Sequence, residues 1–152
     1  AAARVVRKDY DYAFEEEKYR GAPDIRLHEI DVARPLEIAG ERIVPVSGHH
    51  SERFEVTGYR IGRMAYLTDF KTIADAEVGK LIGVELLVVN ALRFRPHPSH
   101  FNVEEALALI ARVAPRRALI THVSHEIGRH AATTALLPRG VELAYDGLEI
   151  II

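Results

Sequence analysis

Two short apolar runs limit the folds that are open to this chain. They read "VELLVVN" at residues 84–90 and "RALIT" at 117–121. Runs of this length are typical of strands that are buried on both faces, and such strands need layers of other elements on either side of the sheet. A helical pattern at 102–113, "NVEEALALIARV", lies between them, so the sequence predicts strand–helix–strand units in a layered fold.

Turn signals add hairpins to these units. Gly62 and Arg63 separate the β-rich runs "FEVTGYRI" and "MAYLTD", and Asp146 and Gly147 separate the two apolar runs of "VELAYDGLEII". An Asp-Gly pair between such runs is typical of a tight β-hairpin. A further short strand is predicted over 42–47, ending before the polar run "HHSER".

Three helices are predicted between the strands. The first covers 72–83 and the last covers 126–136. The middle helix has the strongest start signal, because Asn102 can cap it and Glu105 stands three residues later, as in a capping box. Hairpins combined with strand–helix units favour a layered α/β or α+β domain, whereas residues 1–40 show no clear period and are expected to be irregular.

The composition fits one domain and argues against several kinds of protein. At 152 residues and 48% apolar content the chain can bury a single core. Its apolar runs are far shorter than the roughly 20 residues of a membrane span. A formal charge of -2 gives no basic surface for nucleic acid, although charge alone does not exclude such a partner. We therefore expect a soluble, cytoplasmic protein without a membrane partner.

Polar residues follow several of the apolar runs. With eight histidines and no cysteine, the metal ligands on offer are imidazole and carboxylate. His49, His50, Asp69 and His122 stand where predicted strands end, and His100 lies in the loop before the middle helix. Each alone has an ordinary explanation, as a solvated loop histidine, a helix-capping carboxylate or a structural strand-end imidazole. Together, at the strand ends where layered α/β folds gather their sites, they suit zinc, iron or manganese.

Four segments carry a resemblance to a known family: "GYRIGRMAYLTD", "NALRFRPHPSHFNVEEALALI", "RRALITHVSHEIG" and "LPRGVELAYDGLEI". They resemble the C-terminal part of the metallo-β-lactamase superfamily, in particular small phosphodiesterases similar to the cyclic phosphoribosyl phosphodiesterase. Beyond these, they are similar to transfer-RNA 3′-processing nucleases. The resemblance implies an α+β fold, the four-layer αββα sandwich, with residues 1–152 forming the C-terminal part of a single domain.

The resemblance also assigns roles to individual residues. It makes His50 a ligand of a first metal ion, with His49 as the alternative because the loop length varies there. Asp69 would bridge two metal ions and His122 would bind the second. His100 matches a loop histidine that contacts the phosphate and protonates the leaving oxygen. Two further histidines would support the ligands or contact the edge of the substrate, with a structural role as the alternative: His97 and His125.

The activity implied by the resemblance is metal-dependent hydrolysis. Two divalent cations are expected, zinc or manganese, with iron as a further option. The expected substrate is a small phosphodiester, open or cyclic. One alternative is another hydrolase of the superfamily, such as an RNA 3′-processing nuclease, a lactonase or a thioesterase. A different class of function, a metal-binding or scaffold module without catalysis, also stays open.

The sequence departs from the family in one large respect. Family members carry an upstream His-x-His-x-Asp-His motif that supplies most metal ligands, and the sequence has no such motif. We therefore expect the N-terminal part of the domain to be absent from this chain and the chain alone to be inactive. Its sheet would then have an uncovered face, for which a homodimer is one solution. Arg93 and Arg95 either meet a phosphate or are solvated surface charges.

Overall fold

The computed structural model describes residues 2–152 and divides into two compact units, Ala1–Asp31 and Val32–Ile152. In the first unit, helix α1 spans Ala2–Asp9 and a single 3₁₀ turn spans Asp11–Ala13. The sequence predicted an irregular segment here. A helix forms because its first residues are alanines and its last turn is basic, which complements the helix dipole.

The second unit contains a seven-stranded mixed sheet whose strands are ordered β1 to β7 in space as in sequence. The first three pairings, from β1 to β4, are antiparallel, and the last three, from β4 to β7, are parallel. The strands are β1 Leu36–Ile38, β2 Glu41–Ser51, β3 Phe54–Ile61, β4 Met64–Leu67, β5 Leu86–Asn90, β6 Arg117–Thr121 and β7 Val141–Leu143. The helices are α2 Asp75–Gly79, α3 Val103–Val113 and α4 His130–Thr134, with a 3₁₀ turn at His125–Ile127.

Strand direction determines which residues share an edge of this sheet. Strand β2 is antiparallel to β3, and β3 is antiparallel to β4, so β2 and β4 run the same way. Strands β5 and β6 continue parallel to β4. The C-terminal ends of β2, β4, β5 and β6 therefore meet at one edge, and the residues that follow them are brought together there.

The core lies mainly on the face of the sheet that α3 covers. All five residues of β5 are buried, as predicted, and α3 turns Ala106, Leu109, Ile110 and Val113 toward the sheet. The predicted hairpin of β3 and β4 is confirmed, with Gly62 at a φ of 55° in the turn. Among the helices of residues 2–152, none combines the length and the apolar character that a membrane crossing requires.

Two predicted strand boundaries are wrong. Strand β2 was predicted to end before His49 but continues to Ser51, because β3 keeps pairing with it beyond residue 47. The run after Gly147 was predicted to form a hairpin strand, yet β7 pairs in parallel with β6 instead. The terminal run packs Leu148 and Ile150 on the second face of the sheet.

The predicted helices 72–83 and 126–136 are shorter than expected. Helix α2 covers only Asp75–Gly79, and α4 only His130–Thr134, preceded by a separate 3₁₀ turn. In neither α2 nor α4 does the N-cap side chain accept a hydrogen bond, so both helices lack a contact that commonly stabilises a helix start.

Helix α3 has the complete capping box that the sequence predicted. The Asn102 side chain accepts a hydrogen bond from the Glu105 amide at 2.8 Å, and the Glu105 carboxylate accepts one from the Asn102 amide at 2.8 Å. Lys71 adds an ion pair to the same carboxylate at 2.6 Å. The start of α3, directly after His100 and Phe101, is therefore fixed.

We expect Asn102→Ala to lower the free energy of unfolding by about 1 kcal/mol, the usual cost of losing an N-cap. Urea denaturation measures this. Glu104→Gln is the control, because Glu104 is an exposed first-turn carboxylate outside the capping box, and it should cost only about 0.3 kcal/mol. Equal losses in the two variants would contradict the capping argument.

Candidate metal centre

His50 lies at the end of β2 in a β-bulge. The pairing of β2 with β3 shifts between His49 and Ser51, and such a shift turns the bulged side chain. The His50 Nδ1 atom lies 3.0 Å from the backbone oxygen of Asp69. Because a carbonyl oxygen only accepts, Nδ1 carries the proton, and Nε2 is left with the free electron pair that a metal ion needs.

His49 faces away from this position. Its side chain is exposed, and its backbone pairs with Thr72 at 3.0 Å. It lines a cavity of about 360 Å³ together with Ser51, Glu52, Lys71, Thr72 and Pro98. Of the two adjacent histidines, the structure therefore brings His50 to Asp69, whereas His49 lines the neighbouring cavity.

Asp69 and His122 both adopt a left-handed backbone conformation. Asp69 follows β4 with a φ of 64°, and His122 follows β6 with a φ of 57°. Few residues other than glycine adopt such values, which cost of order 1 kcal/mol and often occur at functional sites. The sequence predicted both residues at strand ends but carried no signal of this geometry.

Three side-chain atoms form a nearly equilateral triangle. Asp69 Oδ1 lies 3.2 Å from His100 Nε2 and 3.3 Å from His122 Nε2, and the two histidine atoms are 3.1 Å apart. Tetrahedral zinc with bonds of about 2.0–2.1 Å spaces its ligands about 3.3 Å apart. The triangle therefore has the spacing of a metal-ligand set.

His50 completes the cluster. One ligand atom from each of His50, Asp69 and His100 lies within 4.8 Å of the others. The His50 and His100 rings meet edge to face with centroids 4.5 Å apart, and the His100 and His122 rings stack at 4.9 Å. These four residues, His50, Asp69, His100 and His122, are called the edge cluster below.

His100 is the interior member of the edge cluster. Its side chain is 12% exposed, against 42% for His122. Burial lowers the pKa of His100, the hydrogen bond to Asp69 acts in the opposite direction, and neighbouring histidines lower the pKa further. In the free protein His100 is therefore neutral at neutral pH, which suits a metal ligand or an acceptor of a proton.

The other predicted site residues lie around the edge cluster. His97 Nδ1 is 3.2 Å from His100 Nδ1, and Ser99 Oγ is 3.1 Å from the same atom, so both can orient the His100 ring. Burial also lowers the pKa of His97. His125 begins the 3₁₀ turn after β6 and is exposed. Sequence reasoning missed Ser99, for which the spacing "PSH" was the only signal.

Arg93 and Arg95 are already paired. Both donate to Glu126, at 2.5 Å and 2.6 Å, and Arg93 also donates to the Pro96 carbonyl at 3.0 Å. These hydrogen bonds hold the pKa of Glu126 below its usual value. The two arginines thus stabilise the loop that carries His97 and His100, in addition to being surface charges.

Comparison with known proteins places the chain in a family. A family model described as "Beta-lactamase superfamily domain" matches residues 1–123. The chain belongs to this superfamily. The predicted resemblance and the metallo-β-lactamase fold are both confirmed, and within residues 2–152 the fold is represented by the seven-stranded sheet and its helices.

Two solved structures illustrate the relationship. A "new diphosphatase from the PhnP family" is 34% identical, with a TM-score of 0.85 over 96% of this chain and 53% of its own. Human tRNase Z, short form, is 17% identical, with a TM-score of 0.57 over 74% of this chain and 44% of its own, and so supports the fold alone. The chain spans about half the length of these relatives.

A curated relative has a different name. A protein of Porphyromonas gingivalis named octanoyltransferase is 36% identical over 148 residues, which is 97% of this chain and 30% of that protein. The family thus includes hydrolases such as the diphosphatase, while this relative combines a similar segment with a much longer remainder.

Gly48 gives a test of how tightly the cluster is packed. A Cβ atom there would lie 2.2 Å from Phe70 Cε1 and 2.8 Å from the Thr72 oxygen. Gly48→Ala should therefore displace the chain beside Asp69 and lower the free energy of unfolding by about 1–3 kcal/mol, measured by denaturation.

The matched control is Gly79→Ala. A Cβ at Gly79 meets nothing within 4 Å, so this variant should leave stability unchanged or raise it by up to about 1 kcal/mol. A Gly48→Ala protein as stable as the control would show that the sheet yields easily at this point.

Proposed function

We propose that this chain supplies part of the active site of a metal-dependent phosphodiesterase that acts on a small phosphodiester. The observation that carries the proposal is the triangle of Asp69 Oδ1, His100 Nε2 and His122 Nε2 with the His50 ring beside it. Attack at phosphorus is supported by the 34%-identical relative described as a diphosphatase.

Divalent cations would be held by the edge cluster. His50 would use Nε2, because its Nδ1 proton is engaged by the Asp69 carbonyl. Asp69 has two carboxylate oxygens and is suited to bridging two ions, while His122 would bind the second ion. Zinc, manganese or iron each fit a set of imidazole and carboxylate. When bound, such ions lower the pKa of water to about 7 and neutralise charge on phosphoryl oxygens.

His100 is proposed as the group that protonates the leaving oxygen. Burial and the neighbouring histidines lower its pKa in the free protein, so that it would be neutral before the substrate arrives. A phosphate anion beside the ring favours the charged imidazolium and raises that pKa toward the working pH. His97 and Ser99, on the Nδ1 side, would hold the ring in place. A second role for His100, direct metal binding through Nε2, fits the distances of that atom to Asp69 Oδ1 and His122 Nε2.

The substrate is expected to be small. The formal charge is -2, and the two arginines nearest the histidine loop are engaged by Glu126. A long polyanion such as RNA requires several free cationic groups along its path. The described part of this chain offers few free cationic groups at the edge cluster. This favours a small phosphodiester over an RNA 3′ end.

An acyl thioester is the second candidate substrate. It is favoured by the 36% identity to a segment of the protein named octanoyltransferase. Water made nucleophilic by a metal centre attacks carbonyl carbon as well as phosphorus. In that case the edge cluster would act on an octanoyl thioester, and His100 would protonate the leaving sulfur.

The roles within the edge cluster can be separated by substitution. We expect His100→Ala to lower turnover of bis(p-nitrophenyl) phosphate by about 10²- to 10⁴-fold, the usual value of a general acid, with metal content nearly unchanged. Asp69→Ala and His122→Ala should each empty at least one metal position. Turnover is measured on the protein at its natural length, and metal content by elemental mass spectrometry.

His28→Ala is the matched control, because this exposed histidine has no assigned role in the site and should change neither quantity. Loss of metal from His100→Ala would make His100 a ligand and would remove the proposed proton transfer. Absence of metal from the unsubstituted protein would remove the proposed function altogether. One weakly bound ion with no turnover would support a metal-binding scaffold.

The substrate class can be tested separately. The phosphodiesterase proposal predicts hydrolysis of bis(p-nitrophenyl) phosphate and no measurable hydrolysis of octanoyl-coenzyme A or a simple lactone. The EDTA-treated protein, with and without added Zn²⁺ or Mn²⁺, is the control. Metal-dependent cleavage of the thioester alone would favour the second candidate instead.

A further inference from the structure

Asn90 is a fully buried polar residue that the proposed mechanism does not use. It is the last residue of β5, its relative exposure is 0%, and the four residues before it in the strand are buried and apolar. Burying an amide is unfavourable unless both its donor and its acceptor are satisfied. The contacts that satisfy the Asn90 amide therefore indicate its role.

Both contacts go to one residue, Phe70. The Phe70 amide donates to Asn90 Oδ1 at 2.8 Å, and Asn90 Nδ2 donates to the Phe70 carbonyl at 2.9 Å. This pair of bonds resembles the pairing between neighbouring strands, at a point where β4 has already ended at Leu67. The Asn90 side chain thus fixes the backbone of a segment that the sheet itself no longer fixes.

Phe70 is joined to two members of the edge cluster. It directly follows Asp69, whose φ is 64°. Its carbonyl also accepts a hydrogen bond from the amide of Phe101 at 2.8 Å, and Phe101 directly follows His100. One carbonyl group, oriented by Asn90, therefore connects the segment that carries Asp69 with the segment that carries His100.

The backbone next to Asn90 is also connected to a third member of the edge cluster, His122. Asn90 pairs with Thr121 in the register of β5 and β6, and the Ala91 amide donates to the Thr121 carbonyl at 3.1 Å. Thr121 directly precedes His122. Asn90 is thus linked to Asp69 and His100 through Phe70, and its neighbour Ala91 is linked to His122 through Thr121.

We propose that Asn90 is a positioning residue that holds Asp69 and His100 at the spacing observed in the edge cluster. Its role rests on the proposed function, since the position of Asp69 matters for holding a metal ion. Residues that orient metal ligands typically affect metal affinity by about 10- to 100-fold. A purely structural Asn90 would alter stability without a selective change at the edge cluster.

The test is Co²⁺ binding followed by visible absorption, which reports both affinity and coordination geometry. Asn90→Leu removes both hydrogen bonds at similar volume, and Asn90→Asp keeps an acceptor for the Phe70 amide but removes the donor to the Phe70 carbonyl. We expect Co²⁺ affinity to fall at least about 10-fold in Asn90→Leu and less in Asn90→Asp. The intensity of the absorption bands should change in parallel.

Val113→Ala is the control for general loss of stability. Val113 is buried at the C-terminal end of α3, toward the edge where β6 begins, and its truncation leaves a cavity away from the edge cluster. Its Co²⁺ affinity should stay within about twofold of the unsubstituted protein. Equal losses of affinity in Asn90→Leu and Val113→Ala, or unchanged affinity in a folded Asn90→Leu, would overturn the proposal.

Two further outcomes remain informative. Where Asn90→Leu does not fold, Asn90→Asp is compared with Val113→Ala by the same criterion. Where the unsubstituted protein binds no Co²⁺, the proposed metal function fails, and the positioning role is judged from the imidazole NMR signals of His100 and His122. Signals that move in Asn90→Asp but not in Val113→Ala support the positioning role, and unmoved signals overturn it.

Discussion

The common direction of β2, β4, β5 and β6 is the constraint on which the rest of this structure depends. Strands that run the same way end at the same edge, and their buried faces keep polar side chains out of the core until the strand has ended. The chain therefore places the three imidazoles and the carboxylate of the edge cluster at a single edge. Residues up to 72 positions apart in sequence, such as His50 and His122, meet there because of strand pairing, not local structure.

The backbone at this edge is held in conformations that it would not adopt alone. Asp69 and His122 have positive φ values, and each is flanked by a backbone hydrogen bond from another loop or strand. The capping box of α3 and the amide of Asn90 fix the neighbouring segments. The unfavourable local geometry is thus offset by a network of buried hydrogen bonds, as is common where side chains must be aimed at a ligand.

The chemistry of the edge cluster agrees with the family to which the chain belongs. The donor atoms of Asp69, His100 and His122 are a carboxylate oxygen and two imidazole nitrogens that lie 3.1–3.3 Å from one another, and the His50 tautomer is set by a backbone carbonyl. These features concern metal binding and not the choice of substrate. The relatives differ accordingly, since one is described as a diphosphatase and another is named octanoyltransferase.

The sequence by itself determined the features that depend on near neighbours: the buried strand β5, the turn at Gly62, the capping box at Asn102, and the residue types available as ligands. Tertiary structure alone decided that His50, and not His49, lies beside Asp69, because the bulge in the pairing of β2 with β3 sets the direction of the two side chains. It also paired Arg93 and Arg95 with Glu126 and turned the terminal run away from β7. These contacts join residues that are far apart in the sequence. A local sequence pattern does not determine which of several polar or apolar residues will be in contact after folding.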